Sequence, residues 1–184
     1  MIRLLFAAAL GLGIAANAYA APAPALRDLD GKLQQPLAAQ GARGVVLLFI
    51  ADDCPISNSY APEISRLAAR CASQNIKFTL VNTDTHVSVD DVKKHGQEYG
   101  LKCPTLLDPT HAFAKYAHAT ATPEAVVYAP NGTLVYRGRI DNRYVDFGKA
   151  RPQATTHDLR AALDAFLAHK PVAQRETKAV GCYI

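Results

Sequence analysis

The chain has 184 residues, of which 20 are Lys or Arg and 16 are Asp or Glu, so its formal net charge is +4. Charges of both signs alternate without a basic run, which excludes the dense positive surface typical of nucleic-acid binding or of attachment to acidic membranes. Hydrophobic residues make up 49% of the chain, enough for one domain with a sizeable core. Four cysteines are present, and their use depends on the compartment.

The first twenty residues have the pattern of a secretory signal peptide. Arg3 supplies an early positive charge, an apolar stretch follows over 4–14, and Ala18-Tyr19-Ala20 offers the small residues that a signal peptidase requires. The alternative is a transmembrane anchor, but the apolar stretch is short and no stop-transfer charges follow it. The sequence therefore predicts a signal peptide over 1–20 and a periplasmic or secreted protein, without stable membrane insertion after cleavage.

Strand and helix patterns alternate along the rest of the chain. Asp30-Gly31 and Asn131-Gly132 each predict a tight turn between two strands. The predicted elements are, in chain order, a hairpin over 26–33, a strand over 45–51, a helix from 55 to beyond 71, a strand over 76–82, a helix over 89–99, a strand over 105–107, a helix over 112–117, strands over 125–128 and 133–136, and a helix over 155–168. Thr155 and Asp158 have the spacing of a capping pair at the start of the last helix.

This order of elements predicts an α/β sandwich. Strands joined by helices run parallel, and the closing hairpin adds antiparallel strands, so the central sheet is expected to be mixed. The sequence predicts one domain over 21–170, followed by a C-terminal tail over 171–184 that carries Cys182. Since the residues ahead of Cys182 are polar, the tail is expected to be mobile or laid on the surface.

Cys54 has the setting of a reactive cysteine. It follows the apolar strand over 45–51 and precedes Pro55, and a proline is well placed in the first turn of a helix. A thiol at that position faces free backbone N–H groups and the positive end of the helix dipole, both of which favour the thiolate. Asp52 and Asp53 oppose this effect, because nearby negative charge raises the pKa of a thiol.

The surroundings of Cys54 resemble the active site of the thioredoxin fold. Pro62 stands eight residues after Cys54, where thioredoxins have a helix-kinking proline, and Ser57 replaces their second active-site cysteine. Thr122-Pro123 precedes an apolar strand, as the cis-proline of thioredoxins does. The resemblance implies a three-layer sandwich with a mixed central sheet, an α/β insertion before the cis-proline and a C-terminal extension. It also implies that Pro123 lies beside Cys54.

Four motifs resemble those of bacterial redoxin proteins of the AhpC/TSA type, which belong to the thioredoxin superfamily. They cover the chain from about Leu26 to the C-terminus. The motifs are Asp53-Cys54-Pro55, Thr122-Pro123-Glu124, Tyr136-Arg137-Gly138-Arg139-Ile140-Asp141 and Gly181-Cys182-Tyr183-Ile184. A segment over 104–109 is also similar to one that peroxiredoxins and membrane-associated thiol reductases have in their insertion.

The four cysteines and Ser57 are expected to differ in role. Ser57 is suited to donate a hydrogen bond to the Cys54 sulfur, but it cannot resolve a mixed disulfide. Cys71 lies on the apolar stripe of the first helix and is expected to be buried. Cys103 is either a structural thiol or a second partner for the active site. Cys182 is expected to resolve Cys54, with a static structural disulfide or an intermolecular link as the alternatives.

These features predict an exported thiol–disulfide oxidoreductase. Cys54 is the nucleophile, Pro123 shapes the surface that faces the substrate, and the substrates are protein thiols or disulfides. The electron donor is expected to be a membrane or periplasmic thiol. No organic cofactor is expected, because the sulfur atoms carry the electrons. The direction of electron flow and the oligomeric state stay open.

Three other functions compete with this interpretation. Peroxiredoxins have a proline and a threonine where this chain has Leu47 and Ala51, which counts against efficient peroxide reduction. Copper-handling relatives need a cysteine where Asn58 stands, and His118 is a lone histidine, so no metal site is predicted. The third alternative is a redox-inactive binding module.

Overall fold

The computed structural model describes residues 22–184, and the predicted signal peptide lies outside that range. The strands are β1 (Leu26–Asp28), β2 (Leu33–Gln34), β3 (Val45–Ile50), β4 (Lys77–Asn82), β5 (Thr105–Leu107), β6 (Ala121–Thr122), β7 (Glu124–Tyr128), β8 (Leu134–Gly138), β9 (Tyr144–Asp146), β10 (Lys149–Ala150) and β11 (Cys182–Tyr183). The helices are α1 (Pro55–Ser59), α2 (Ala61–Ser73), α3 (Val89–Glu98), α4 (Ala112–Ala117) and α5 (Asp158–Leu167). Across the described residues no helix is long and apolar enough to cross a bilayer.

A seven-stranded mixed sheet forms the middle layer, in the order β2-β1-β5-β4-β3-β7-β8. Strand β3 pairs in parallel with β4, and β4 in parallel with β5, whereas β7 is antiparallel to both β3 and β8. All six residues of β3 are buried, because side chains of alternating direction enter cores on both faces of the sheet. Helices cover both faces, which confirms the predicted α/β sandwich of the thioredoxin type.

Each face of the sheet has its own hydrophobic core. The core on one face combines Val46, Leu48 and Ile50 of β3 with apolar residues of α2 and α5. The core on the other face combines Val45, Leu47 and Phe49 with residues of α4. Burial of a side chain of this size stabilises the fold by about 1.5–3 kcal/mol. This places β3 in the fully packed centre of the molecule and fixes the position of the cysteine that follows it.

The helix after Cys54 is divided in two. Helix α1 ends at Tyr60, which is also the N-cap residue of α2, and Pro62 lies in the first turn of α2. A proline cannot donate a backbone hydrogen bond, so it interrupts the helical ladder at this point. The break confirms the predicted kink and separates the short helix that follows Cys54 from the long helix that packs on the sheet.

One prediction about the last third of the chain was wrong. Helix α5 begins at Asp158, and Thr155 does not cap it, because the Thr155 hydroxyl accepts a hydrogen bond from Asn142 Nδ2 at 2.7 Å. Of the two expectations for the tail, a mobile segment or one laid on the surface, the structure shows the second, because β11 pairs antiparallel with β6. In addition, the short hairpin formed by β9 and β10 was not predicted.

Candidate active site

Cys54 lies at the carboxyl end of β3 and is the N-cap residue of α1. Its sulfur accepts a hydrogen bond from the backbone N–H of Ser57 at 3.4 Å. In the thiol form it donates to the carbonyl oxygen of Thr122 at 3.1 Å. The residue is 0% exposed. A protein substrate therefore reaches this sulfur only if a covering segment moves.

The loop before β7 brings Pro123 to the Cys54 side of the molecule. The Thr122–Pro123 bond is cis, as predicted, and the contact between Cys54 and Thr122 shows that the two motifs meet. The buried carboxylate of Glu124 orders this loop by accepting hydrogen bonds from the backbone N–H groups of Thr120 at 2.8 Å and Ala121 at 3.2 Å. Glu124 thus holds the conformation of the loop before β7. The sequence indicated this residue only as part of the Thr-Pro-Glu motif.

The C-terminal tail covers this loop. Cys182 is the register partner of Thr122 in the β6–β11 pair, and the backbone N–H of Ile184 donates to Thr120 O at 3.1 Å. Gly181 approaches so closely that a Cβ atom placed on it would lie 1.9 Å from Thr122 O. No side chain fits there, so the glycine of the Gly-Cys motif is required by the contact between two backbones.

A second contact fixes the tail upstream of Cys182. Thr177 is buried, and its hydroxyl lies 2.6 Å from the Tyr136 hydroxyl and accepts from the backbone N–H of Arg139 at 3.0 Å. A Cβ atom on Gly138 would lie 2.2 Å from the carbonyl oxygen of Thr177. The Tyr-Arg-Gly-Arg motif is therefore the docking site of the tail.

Cys54 and Cys182 have opposite pKa shifts. Burial raises the pKa of Cys54, but hydrogen bonds from the side chain of Cys182, from Thr122 and from the Ser57 backbone outweigh it, so the pKa falls below its usual value. Burial, the hydrogen bond to Cys54 and negative charge at Cys54 raise the pKa of Cys182 to about 12. The pair therefore consists of one thiol that ionises readily and one that keeps its proton. Both cysteines are free.

Asp52 is turned into a polar cluster with the insertion. Its Oδ1 accepts from Asn82 Nδ2 at 2.7 Å and lies 3.2 Å from His95 Nδ1. The other ring nitrogen of His95 lies 2.8 Å from Asn58 Oδ1, and the backbone N–H of Asp52 donates to Asp84 at 2.6 Å. Burial raises the pKa of Asp52 despite the nearby histidine. The cluster ties α3 and β4 to the loop before Cys54, a role that sequence reasoning missed.

Ser57 acts through its backbone. The expected hydrogen bond from its side chain to Cys54 is not formed, because the Ser57 hydroxyl is buried without a partner. The hydroxyl of Thr122 is likewise buried and has no partner beside the neutral thiol. Hydroxyl groups rotate freely, and the Thr122 side chain is among the groups that lower the pKa of Cys54, so its hydroxyl is available to a thiolate there.

The other sulfur and imidazole groups lie elsewhere. Cys71 is fully buried in the core under α2, as predicted. Cys103 precedes β5 and packs against the same core, at the opposite end of the parallel strands from Cys54. His118 is an exposed residue at the end of α4. In the described part of the chain, His, Cys, Asp and Glu side chains form no group of three or more that could hold a metal ion.

Solved structures share this architecture. An uncharacterized conserved protein from Geobacillus kaustophilus is 28% identical with a TM-score of 0.73, and the match covers 89% of each chain. A hypothetical protein from Sinorhizobium meliloti is 27% identical with a TM-score of 0.74, covering 87% of this chain and 88% of its own. A secreted disulfide oxidoreductase from Mycobacterium tuberculosis, homologous to DsbE of E. coli, is 21% identical with a TM-score of 0.54, covering 79% and 94%. At that identity, the last comparison shows the fold alone.

The family comparison covers the part of the chain that holds Cys54 and the cis-proline loop. A search among curated proteins found no match. The family model of the AhpC/TSA family matches residues 18–137, which include Cys54 and the cis-proline loop and end before the tail. The chain belongs to the AhpC/TSA family and has a thioredoxin-like fold.

Proposed function

We propose that the protein is an exported thiol–disulfide oxidoreductase that uses Cys54 as nucleophile and Cys182 as resolving thiol. One observation carries the proposal: the tail pairs with β6 so that Cys182 lies opposite Thr122, whose carbonyl oxygen is 3.1 Å from the Cys54 sulfur. The signal-peptide pattern over 1–20 supports export. Pro123 shapes the substrate-facing loop, and Ser57 supports the sulfur through its backbone N–H.

The reaction is a pair of thiol exchanges. The Cys54 thiolate attacks one sulfur of a substrate disulfide, so that one S–S bond breaks, a Cys54–substrate disulfide forms and the other substrate sulfur leaves as a thiolate. Cys182 then loses its proton to solvent and attacks the Cys54 sulfur. This second step releases the first substrate sulfur and leaves a Cys54–Cys182 disulfide. A thiol donor in the same compartment restores both thiols, and the reverse sequence oxidises a dithiol substrate.

The two pKa shifts suit these roles. A thiol with a lowered pKa is ionised at lower pH, so Cys54 is the sulfur that makes the first attack on a substrate disulfide. The raised pKa of Cys182 keeps it neutral until a mixed disulfide has formed at Cys54. Negative charge on Cys54 is among the causes of that raised pKa, and it disappears when the mixed disulfide forms.

A trapping experiment tests the function. Reduced mature protein carrying Cys182→Ser is treated with oxidised glutathione and analysed by mass spectrometry. We expect glutathione to accumulate on Cys54 in this variant and to be released from the wild type as a Cys54–Cys182 disulfide forms. Cys71→Ser serves as the matched control, because Cys71 is buried in the core under α2 and is expected to leave both results unchanged. A Cys182→Ser protein that never retains glutathione contradicts the proposal.

Peroxide reduction is the second candidate, and the burial of Cys54 favours it. A peroxide is small enough to reach a covered sulfur with less opening than a protein needs. Attack by the thiolate would convert Cys54 to a sulfenic acid and release water or an alcohol, and Cys182 would then form the disulfide with loss of a second water. The same mass spectrometry distinguishes the two functions: Cys54 sulfenic acid formed faster with hydrogen peroxide than glutathione adduct with oxidised glutathione would favour this candidate.

A further inference from the structure

We infer that β6 is a binding site for an extended Gly-Cys segment of a partner protein, and that the tail of this chain is the internal strand that fills this site. The inference rests on the proposed function and adds a substrate class to it. Strand β6 has no other strand partner among residues 22–184, because β6 and β11 form a separate two-stranded sheet. Removal of the tail therefore exposes a free strand edge beside Cys54, and such an edge pairs with extended chains.

The tail shows what the edge accepts at each position. The cysteine of the bound segment pairs in register with Thr122, and this register places its sulfur beside Cys54. The position before it tolerates only glycine, because the missing Cβ of Gly181 would lie 1.9 Å from Thr122 O, a backbone atom that cannot rotate away. Selectivity for glycine thus comes from the backbone of β6 itself, whatever chain occupies the site.

Positions further from the cysteine are selected differently. Tyr183 is 94% exposed, so the site does not select the type of residue that follows the cysteine. Val180 and Ile184 are half-buried and pack against the two hydrophobic cores, which favours apolar residues two places before and two places after the cysteine. The site therefore fits a segment of the pattern apolar–Gly–Cys–any–apolar, which is the pattern of the tail.

The tail and a substrate segment compete for pairing with β6, and this competition sets the order of the reaction steps. Cys54 is 0% exposed while the tail is docked, so the tail must leave β6 before a partner segment binds. After the mixed disulfide has formed, the returning tail brings Cys182 to the Cys54 sulfur and displaces the bound strand. Resolution of the disulfide and release of the product are then one event.

The test uses full-length mature protein with a closed and an open tail. Cys182→Ser keeps the tail docked, and the double variant Gly181→Ala with Cys182→Ser releases it because the added methyl group meets Thr122 O. The probes are a peptide Lys-Ala-Val-Gly-Cys-Tyr-Ile with the cysteine linked by a disulfide to thionitrobenzoate, the same peptide with Ala for Gly, and the same peptide with Ala for Tyr. Attack by Cys54 forms the protein–peptide disulfide and releases coloured thionitrobenzoate, so each rate is read directly.

We expect the open variant to react at least about tenfold faster with the glycine peptide than with its alanine counterpart, a difference of about 1.4 kcal/mol. The peptide with Ala for Tyr should react as fast as the parent, and in urea all three should react alike.

Equal rates for the glycine and alanine peptides with the folded open variant overturn the strand site while leaving thiol exchange intact. Failure of Cys54 to release thionitrobenzoate from any probe overturns the proposed function instead. A disulfide-linked dimer through Cys54 and Cys182 would assign the site to a second copy of the chain and overturn a separate partner.

Discussion

Cys54 is activated by hydrogen bonds, although the fold places it in a fully buried position. Burial alone raises the pKa of a thiol, as it does for Cys71, whose pKa rises to about 12. Around Cys54, hydrogen-bond donors from the tail, from Thr122 and from the start of α1 outweigh burial, so the pKa of this thiol is lowered instead of raised. Cys71 has no such donor among the causes of its shift, so burial dominates there and the pKa stays raised.

Thr122→Val removes one of these donors without changing the shape of the side chain. We expect the pKa of Cys54 to rise, because the thiolate loses a hydroxyl that lowers its pKa. Stability should not fall, since the hydroxyl is buried without a partner in the thiol state and an apolar replacement removes an unsatisfied group. The pKa is measured from the thiolate absorbance at 240 nm, with Cys54→Ser as blank.

Thr79→Val is the matched control. Its hydroxyl is also buried without a partner, but it lies in β4 and is not among the causes of the Cys54 shift. The control should leave the Cys54 titration unchanged. A Thr122→Val protein that titrates like wild type would show that the threonine hydroxyl does not reach the sulfur.

At the scale of elements, α3 holds the active-site loop from the side. His95 connects this helix to Asp52 before Cys54 and to Asn58 in α1. His95→Leu should lower the free energy of unfolding by about 1–3 kcal/mol, because it leaves the half-buried Asp52 carboxylate with one partner fewer. Lys94→Leu on the same helix should cost little, since its ion pair with Glu98 is exposed. Urea unfolding measures the free energy of unfolding of both variants. Equal losses would show that His95 does not stabilise the loop before Cys54.

Docking of β11 should depend on pH in the alkaline range. The pKa of Cys182 rises from 9.0 to about 12 in the docked tail, so the undocked tail loses its proton first. The contribution of the Cys182 thiol to docking is therefore fully present below pH 9 and weakens as the pH rises from 9 towards 12. The methyl NMR signals of Ile184 should shift over that range in the wild type. In Cys182→Ser the signals should hold constant, and an equal shift in that variant would assign the change to another group.

The elements that the sequence predicted are those whose signals are local. Strand β3 is a continuous apolar run and α2 carries an apolar stripe, and each pattern reflects burial of its own side chains. The sequence left open whether the tail is mobile or laid on the surface, because its main contacts join backbone to backbone, and these leave no apolar pattern. Gly181 was the available signal, since a glycine before a candidate resolving cysteine indicates a close approach. The β9–β10 hairpin was missed because its strands are short and largely exposed.

In the whole molecule, the tail packs both on the edge of the central sheet and on the loop that holds Thr122 and Pro123. Arg137 exchanges backbone hydrogen bonds with Arg175 and Thr177, and its side chain pairs with Glu176, so the tail continues from the edge of the sheet to the cis-proline loop. The domain predicted over 21–170 and the tail predicted over 171–184 are therefore packed together. Loss of the tail contact is expected to affect global stability.

Gly138→Ala tests this contact. Gly138 has φ +142°, and a Cβ there would lie 2.2 Å from Thr177 O. Gly148 has φ +73° with open space around it, so Gly148→Ala measures backbone strain alone, about 1–2 kcal/mol. We expect Gly138→Ala to lose about 1–3 kcal/mol more than Gly148→Ala in urea unfolding, because the clash adds to the strain. Equal losses would show that the tail contributes nothing to stability at this contact.

A disulfide map of the oxidised protein tests most directly whether Cys182 resolves Cys54. Mature wild-type protein is equilibrated in glutathione buffers of increasing oxidising strength, the free thiols are blocked, and the peptides are identified by mass spectrometry. We expect one reversible disulfide between Cys54 and Cys182 within one chain, with Cys71 and Cys103 blocked as free thiols. A Cys54–Cys103 disulfide, or a Cys182 that stays free while Cys54 is oxidised and reduced, would contradict it.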